Sequence, residues 1–318
     1  MPSSTDEQGR AAEVARPSTQ TLRSTLEPQI DQSIVGREDI RVWEQSGVER
    51  LRLDDGQTVV LKYAIGDFDE RDALTHVAEN GVPVPRLLAD YAQADGSVLM
   101  LLEDLGPELR APTLEDAAQT AVQIHMCPGV PGRTVLDSAA LSRLPEKTLA
   151  WIGDLREAGR WGPDEAGDIK DDLEKIARVA DRRARGAEEP PFGLCHSEFH
   201  PTSIHIGNSG RKILDWARSY TGPGLLDLVS WQGTSEPLDL GAVSSLIDAY
   251  IAAGGPPEAA HARGDLPAHV WAGGWDKMWI IEWFLEGTVR WIADPADDAG
   301  IQDMIRVHLK EVVECLTD

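Results

Sequence analysis

The stretch from His196 to Trp216 decides the fold, and it reads HSEFHPTSIHIGNSGRKILDW. Isoleucine and leucine residues flank Asn208-Ser209-Gly210 on both sides, which is typical of a β-hairpin whose loop ends on a left-handed glycine. If these three residues form the loop, Ser203 lies directly opposite Asp215, with Cβ atoms roughly 5 Å apart. A register slipped by one residue is the alternative.

This facing pair predicts a metal site. The carboxylate of Asp215 and the hydroxyl of Ser203 form a partial shell for Mg²⁺, which prefers oxygen ligands, and substrate phosphates supply further oxygens. Glu198 lies on the loop that enters the hairpin, five residues before Ser203, so we expect it to act there as a base. His200 and His205 are near in sequence, but no third ligand has the spacing of a zinc site, and neither receives a role.

The chain has 318 residues, a length that suggests two domains or one bilobed unit with an appended segment. Residues 1–24 are polar and without periodicity, which predicts a disordered tail. Residues 25–105 read as a small lobe of strands with one helix, and residues 106–318 as a mostly helical lobe, so the fold class is α+β. The segments behind this prediction are the hairpin 48–64, the helix 68–79, the strand 97–102 and the helices 113–126 and 168–185.

The charge of the chain excludes some classes of partner. With 54 acidic against 30 basic residues the net charge is −24, which argues against general nucleic-acid binding and against docking on anionic lipid. Three widely spaced cysteines predict neither a disulfide framework nor a zinc site. The N-terminus lacks the apolar core of a signal peptide, and the longest apolar run, 278–285, is interrupted by Glu282. We therefore expect a cytoplasmic protein without a membrane span.

Several segments, in this order and spacing, resemble the aminoglycoside phosphotransferase family, whose fold is that of the protein kinases. The family's catalytic loop reads H-G-D-x-x-x-x-N and its metal motif I-D-W, and the chain has HSEFHPTS and ILDW in the same places. The resemblance implies a bilobal fold and transfer of the γ-phosphoryl group of ATP or GTP, with Mg²⁺, to a hydroxyl of a small molecule. The other matching segments are VVLKYA, GVPVP, LLEDLG, Ile124-His125 and ILDWARSYTGPGLLDL.

In the N-terminal lobe the resemblance implies a nucleotide site. Lys62 matches the lysine that grips the α- and β-phosphates, and its position inside an apolar run argues against a surface lysine, because an unpaired buried charge is costly. Glu70 is its expected ion-pair partner, with Asp69 and Asp72 as competitors. Ser46 and Gly47 match the loop that positions the nucleotide, and the backbone from Glu103 to Leu105 matches the segment that binds the purine base.

In the second lobe the resemblance implies a metal-binding role for Asp215, a bracing role for Asp227 and an anchoring hydrogen bond for His196. Glu198 and Ser203 depart from the family, which has Asp and Asn at these positions. One side chain lengthens while the other shortens. We hypothesise that the two changes are paired, with Glu198 reaching the edge of the metal that Ser203 no longer fills.

An acceptor site is predicted near a tryptophan stripe. Tryptophans recur every four residues from 271 to 283, a spacing that is most often core packing but that also fits the wall of a pocket for a sugar or nucleoside ring. Trp275, Asp276, Trp279 and Trp283 are the candidates. Asp276, Glu282 and Glu286 lie on the same segment and would suit an amine-bearing acceptor, although solvated helix faces explain them equally well. The expected substrate is a hydroxylated natural product such as an aminoglycoside or nucleoside antibiotic. The alternatives are a catalytically inactive protein that binds nucleotide and a pure scaffold.

Overall fold

The structure is a computed structural model, and it describes residues 16–43, 45–162, 166–292 and 294–317. The chain divides into two compact units. The N-terminal unit comprises Met1–Pro112 and Thr202–Arg218, and the C-terminal unit comprises Thr113–Pro201 and Ser219–Asp318. The sequence placed a boundary after residue 105 and kept the hairpin with the helical lobe. The structure instead groups the hairpin with the N-terminal sheet, because the hairpin's backbone bonds join it to that unit.

The elements are named in chain order. The strands are β1 Ile34–Val42, β2 Ser46–Leu53, β3 Thr58–Ala64, β4 Leu87–Ala92, β5 Val98–Glu103, β6 Phe192–Cys195, β7 Ile204–Gly207, β8 Gly210–Ile213 and β9 Tyr220–Pro223. The helices are α1 Thr19–Thr25, α2 Glu27–Ile30, α3 Arg71–Glu79, α4 Leu114–His125, α5 Ser138–Glu157, α6 Gly167–Arg183, α7 Leu225–Ser230, α8 Leu240–Ala252, α9 Ala268–Arg290 and α10 Asp298–Leu316.

The N-terminal unit is built on a five-stranded antiparallel sheet of order β1-β2-β3-β5-β4. Strands β2 and β3 confirm the predicted hairpin, whose turn contains Gly56 at φ 87°. β1 and β4 were not predicted, since their side chains are mostly exposed or half-buried and show no clean alternation. The mixed α+β class is confirmed by this sheet and by the helical C-terminal unit.

Helix α1 corrects the predicted tail. Ser18 caps the helix by accepting the N–H of Thr21. Leu22 and Leu26 are fully buried and pack on one face of the sheet, in a core that includes Leu51 and Leu61. The prediction of a disordered segment is therefore wrong for residues 19–24, and residues 1–15 of the predicted tail lie outside the described residues.

The predicted helix over 68–79 begins later than expected. Residues Gly66–Phe68 form a single 3-10 turn, and α3 starts at Arg71, with Glu70 as its cap residue. Glu70 therefore lies at the entrance of the helix rather than on its side. The predicted helices over 113–126 and 168–185 match α4 and α6, and α4 starts with a capping box between Thr113 and Asp116.

The predicted register of the β7–β8 hairpin is wrong by one residue. Ile204 pairs with Ile213 and Gly207 with Gly210, because Gly210, at φ 90°, itself enters the ladder. The backbone N–H of Leu214, and not of Asp215, donates to the carbonyl of Ser203 at 2.8 Å. The chain then turns at Asp215, whose φ is 68°, so this residue lies beyond the strand pair.

The C-terminal unit consists of seven helices and the short β6–β9 pair within the described ranges. Helix α9 is its central element and packs against α5, α7, α8 and α10. Twelve of the residues of α9 from Ala268 to Glu282 are buried, which places this helix in the interior of the unit. No helix in the described residues has the length and apolar character needed to cross a membrane.

Candidate active site

Lys62 forms the centre of a charged cluster in the N-terminal unit. Its side chain on β3 is only 9% exposed, and its Nζ lies 2.8 Å from Glu70 Oε1 and 2.8 Å from Asp215 Oδ1. Burial alone would lower the pKa of Lys62, but the attraction of the two carboxylates outweighs burial and raises the pKa above its ordinary value. The ammonium group thus stays protonated and is held rigidly between two acids.

Glu70 is the partner that the structure selects from the three acids considered in the sequence. The residue is 2% exposed, and its Oε2 also accepts the backbone N–H of Trp216 at 2.5 Å. Asp69 instead pairs with Arg71 at 2.7 Å. Because Glu70 contacts both Lys62 and the residue after Asp215, it couples β3 to the chain that leaves the hairpin.

Asp215 presents a carboxylate that is one-third exposed. The Nη2 of Arg41, near the end of β1, lies 3.7 Å from its Oδ2. The guanidinium of Arg41 also stacks on Trp43, 4.1 Å from the ring centroid. Two cations therefore face the carboxylate of Asp215. The sequence did not reveal Arg41. Strand β1 itself could not be predicted, and so neither could the direction of the Arg41 side chain towards Asp215.

Ser46 and Gly47 are the first residues of β2 rather than a free loop, and they pair with Ala64 and Tyr63. A Cβ on Gly47 would lie 2.2 Å from the Tyr63 ring, so packing alone requires glycine at this position. The predicted nucleotide-positioning role of Ser46 and Gly47 remains a prediction.

The segment Glu103–Leu105 follows β5 and is held by side-chain pairs. Glu103 pairs with Lys212 at 3.3 Å, and Asp104 pairs with Arg50 at 2.7 Å. Burial would raise the pKa of both carboxyls, but their hydrogen bonds and ion pairs outweigh it and lower both pKa values. The backbone N–H and C=O of Leu105 make no hydrogen bond to any residue that the structure describes.

In the C-terminal unit, Asp227 braces the loop that follows β6. Its carboxylate is 1% exposed and accepts the backbone N–H of His196 at 2.7 Å and of Ser197 at 2.9 Å. The ring of His125 lies 3.3 Å from the same carboxylate. These are the contacts expected of a residue that supports the loop through its backbone. His196 is fully buried, and its backbone N–H makes the hydrogen bond that anchors the loop.

Ser197 has φ 77°, a left-handed conformation that is unfavourable for a residue with a side chain. Three groups hold it there. Asp227 accepts its N–H, the Ser230 hydroxyl donates to its carbonyl at 3.2 Å, and the Trp279 indole N–H donates to its hydroxyl at 3.3 Å. The residue immediately before Glu198 is therefore fixed from three sides.

The tryptophan stripe on α9 divides into a core half and a partly exposed half. Trp271 and Trp275 are fully buried, and both indole N–H groups donate to the carbonyl of Arg183, at 2.6 and 3.1 Å. This packing corrects the prediction for Trp275, which the structure removes from the proposed acceptor pocket. Trp279 and Trp283 are half-buried and stay candidates.

Asp276 is 3% exposed, and its Oδ2 has no hydrogen-bond partner within the described part of the chain. Burial raises the pKa of this carboxyl to about 7, against the attraction of Lys277, while the negative charges of Asp227 and Glu311 raise it further. The carboxyl lies in the interior, so the structure removes Asp276, like Trp275, from the predicted acceptor pocket. It also carries a proton more readily than an exposed aspartate.

The donor groups near the hairpin fit a metal that is only partly held by protein. Among the described residues no cluster of three His, Cys, Asp or Glu side chains could hold a metal ion. The carboxylate of Asp215 is one-third exposed and Ser203 is 4% exposed. Their oxygens are hard donors of the kind that Mg²⁺ prefers, and a metal held by so few protein oxygens would take its other ligands from phosphates and water.

An antiparallel sheet with a buried lysine–glutamate pair, and a helical unit with an aspartate-braced loop, define the protein-kinase-like class of fold. The sequence model of the phosphotransferase enzyme family matches residues 50–266. The chain therefore belongs to this phosphotransferase family, as the resemblance of the motifs predicted. No curated protein matches the chain.

Solved structures share the fold at low sequence identity. A protein described as a fructosamine-3-kinase from Haemophilus somnus aligns with a TM-score of 0.59 and 14% identity, over 90% of this chain and 97% of its own. A thermostable mutant aminoglycoside phosphotransferase, in ternary complex with ADP and hygromycin B, aligns with a TM-score of 0.56 and 14% identity, over 90% and 97%. A choline/ethanolamine kinase family protein from Mesorhizobium loti aligns with a TM-score of 0.52 and 17% identity, over 88% and 87%.

Proposed function

We propose that the protein transfers the γ-phosphoryl group of a nucleoside triphosphate to a hydroxyl of a small molecule. The observation that carries this proposal is the Lys62 ammonium, buried and held 2.8 Å from both Glu70 and Asp215. Burying the ammonium group of Lys62 costs desolvation energy. This cost is understandable if the ammonium binds the phosphates of a nucleotide and the partly exposed carboxylate of Asp215 binds the accompanying metal ion.

The N-terminal unit supplies the donor site. Lys62 contacts the phosphates with Glu70 behind it, and the carboxylate of Asp215 with the hydroxyl of Ser203 holds the metal. Mg²⁺, when bound there with the nucleotide, offsets the charge that develops on the transferred group. The backbone from Glu103 to Leu105 binds the purine base of the nucleotide. Such a reaction depends mainly on positioning and electrostatics, so few side chains take part in bond changes.

The loop of the C-terminal unit supplies the general base, Glu198. Glu198 accepts the proton of the acceptor hydroxyl while the hydroxyl oxygen forms a bond to the γ-phosphorus. The bond from that phosphorus to the bridging oxygen breaks, and the nucleoside diphosphate leaves with its electron pair. The braces on His196 and Ser197 fix the backbone from which Glu198 extends. A misplacement of about 1 Å can cost on the order of 10²-fold in rate, so a fixed backbone matters for a side chain that is one methylene longer than the family's aspartate.

Restoring that aspartate tests the hypothesis that Glu198 and Ser203 are a matched pair. We expect Glu198→Asp alone to leave turnover equal to or below that of the wild type, because the shorter side chain no longer reaches the position that Ser203 leaves open. Steady-state kinetics with an acceptor that the wild type phosphorylates measure the turnover of both proteins. The double variant Glu198→Asp, Ser203→Asn is the matched control, and a large gain from the single change would contradict the pairing.

The proposed acceptor is a hydroxylated natural product, with antibiotics of the aminoglycoside or nucleoside type as the first class to test. The hygromycin B bound to one structural neighbour supports this class. Trp279 and Trp283 offer half-buried indole rings to a sugar or base, and the net charge of −24 favours acceptors that carry amines. A reaction that consumes nucleoside triphosphates fits the cytoplasm, with no role for nucleic acid or membrane.

The test is a phosphoryl-transfer assay on the purified protein. It combines ATP or GTP with Mg²⁺ and a panel of antibiotics, sugars, amino alcohols and nucleosides, and mass spectrometry detects the addition of one phosphoryl group. We expect a product with the wild type and none with Asp215→Ala. Product formation by that variant would refute the metal assignment.

The departures at Glu198 and Ser203 favour one second candidate, an inactive protein that binds nucleotide. In that case Mg²⁺ and nucleotide raise the melting temperature but no acceptor is modified. A protein that neither gains stability nor forms product would refute both functions and leave the scaffold.

A further inference from the structure

Glu282 is an acidic residue of α9 for which the proposed reaction has so far given no role. Its side chain is only 1% exposed, so it does not lie on a solvated helix face. Its Oε1 accepts the indole N–H of Trp151 at 2.8 Å and lies 2.8 Å from the Nζ of Lys147, and both partners are on α5. Its Oε2 has no hydrogen-bond partner among the residues that the structure describes. A buried carboxylate is costly unless cations and donors satisfy it, and this one has acceptor capacity to spare.

Lys147 shows how an ammonium group reaches this carboxylate from solvent. Its side chain is 50% exposed, and its Nζ also lies 6.0 Å from the centroid of the Trp151 ring. A lysine has a flexible four-carbon stem, so Lys147 can turn into solvent and uncover Oε1 of Glu282. Another ammonium can then take its place, because the carboxylate accepts its N–H groups and the indole ring attracts its charge.

The position of Glu282 on α9 connects this carboxylate to the loop that carries the proposed general base. Trp279 lies three residues earlier, on the same side of the helix and about 4.5 Å away along the helix axis. The indole N–H of Trp279 donates to the hydroxyl of Ser197 at 3.3 Å, and Ser197 directly precedes Glu198. Glu282 is therefore about one helical turn from the tryptophan that contacts this loop, a separation that a single sugar ring can span.

We propose that Glu282 binds an ammonium group of the acceptor, and that Lys147 occupies this site until the acceptor displaces it. The exchange replaces one ammonium by another, so the charge of the buried site does not change. This assignment rests on the proposed function, because it takes the ligand to be the acceptor of the phosphoryl group. Glu282 is then a specificity residue for amine-bearing acceptors, and Lys147 competes with them.

The first test compares ligands that differ by one amine. Calorimetry measures the binding of neomycin against paromomycin and of glucosamine against glucose, where the second ligand of each pair has a hydroxyl in place of one amino group. We expect the wild type to bind the amine member of at least one pair about 10-fold or more tightly. Glu282→Gln should lose this preference, because its amide has no charge, although it still accepts the indole N–H of Trp151.

The second test removes the competing lysine and gives the opposite sign. Lys147→Met leaves the buried carboxylate without its cation, so we expect its affinity for the amine ligand to rise several-fold above that of the wild type. A lysine that only joined α5 to α9 would leave this affinity unchanged or lower it. Lys170→Met, on α6, removes a lysine that is 51% exposed and is the matched control, which should keep the wild-type affinities.

The outcomes separate this site from the proposed function. Unchanged or weaker amine binding by Lys147→Met would overturn the site, and so would a wild type that prefers the amine in neither pair. If such a wild type still transfers phosphoryl groups, the proposed function stands without the amine site. An amine preference that disappears in Glu282→Gln, in a protein that transfers no phosphoryl group, would keep the ammonium site and overturn the proposed function.

Discussion

Ser197, the residue before Glu198, has a backbone conformation that the loop requires and that a serine adopts only at a cost. The family motif has glycine at this place, where a left-handed backbone is free of strain, and this chain has serine at φ 77°. A side chain in that conformation costs about 1–2 kcal/mol. The hydrogen bond from Trp279 to the serine hydroxyl offsets part of the cost, and alanine would keep the strain without that bond.

Two substitutions at Ser197 separate the strain from the hydrogen bond. We expect Ser197→Gly to exceed Ser197→Ala in free energy of unfolding by about 1 kcal/mol, because glycine removes the strain that alanine retains. Urea-induced unfolding of the two variants under the same conditions measures the difference. Equal stability of the two variants would show that the backbone at Ser197 is not strained.

Single residues of the site were predictable where the chemistry is tied to a residue type. The resemblance to the family singled out Lys62, Asp215 and Asp227, and the apolar run around Lys62 and the predicted hairpin before Asp215 supported the first two. It could not choose Glu70 over its neighbours, because that choice depends on where α3 begins, and helix starts are the least certain part of a pattern. The contact of Trp279 with Ser197 joins residues 82 positions apart, and no local pattern encodes it.

At the scale of elements, β1 matters because its end carries Arg41 to Asp215. We expect Arg41→Gln to weaken the binding of Mg²⁺–ATP about 10-fold or more, since a charged hydrogen bond to a phosphate is worth about 1.5–3 kcal/mol. The Michaelis constant for ATP, or the dissociation constant by calorimetry, measures the effect. Arg23→Gln, at an exposed position of α1, makes the same change of charge away from Lys62 and should stay within about twofold of the wild type.

Elements were predictable where their periodicity was strong. The β2–β3 hairpin and helices α4 and α6 have clear alternation or helical spacing, and they fold where expected. Helix α1 was missed because seven residues with one buried leucine give almost no periodic signal, and the sheet it covers supplies its stability. The hairpin register failed because glycines at 207 and 210 allow the loop to close one residue earlier.

At the scale of the whole molecule, the buried carboxyl of Asp276 makes stability depend on pH. Its pKa is about 7 in the folded protein, so between about pH 4 and 7 the folded state holds a proton that the unfolded state has released. Unfolding in this range releases a proton, and stability therefore falls as the pH rises towards 7. The stability that the protonated carboxyl of Asp276 provides, relative to the ionised one, is fully present below about pH 4 and is lost above about pH 7.

Replacing this carboxyl isolates its share. Between pH 5 and pH 8 we expect the wild type to lose about 3 kcal/mol more stability than Asp276→Asn, whose amide does not ionise. Melting temperatures of both proteins at half-unit steps of pH measure this. Asp248→Asn, at an exposed position on α8, is the control and should follow the wild type. Parallel curves for the wild type and Asp276→Asn would show that the carboxyl is ionised in the fold.

Because residues 202–218 belong to the N-terminal unit, two separate parts of the gene encode that unit, and this limits how the gene can recombine. The N–H of Ile213 bonds the carbonyl of Pro83, and Lys212 Nζ bonds the carbonyl of Val84, so the sheet and the hairpin are one folded body made of two distant pieces of gene. A recombination event that exchanged the first 112 codons between relatives would graft Lys62 onto a foreign Asp215. Functional chimeras should therefore inherit both pieces from the same parent.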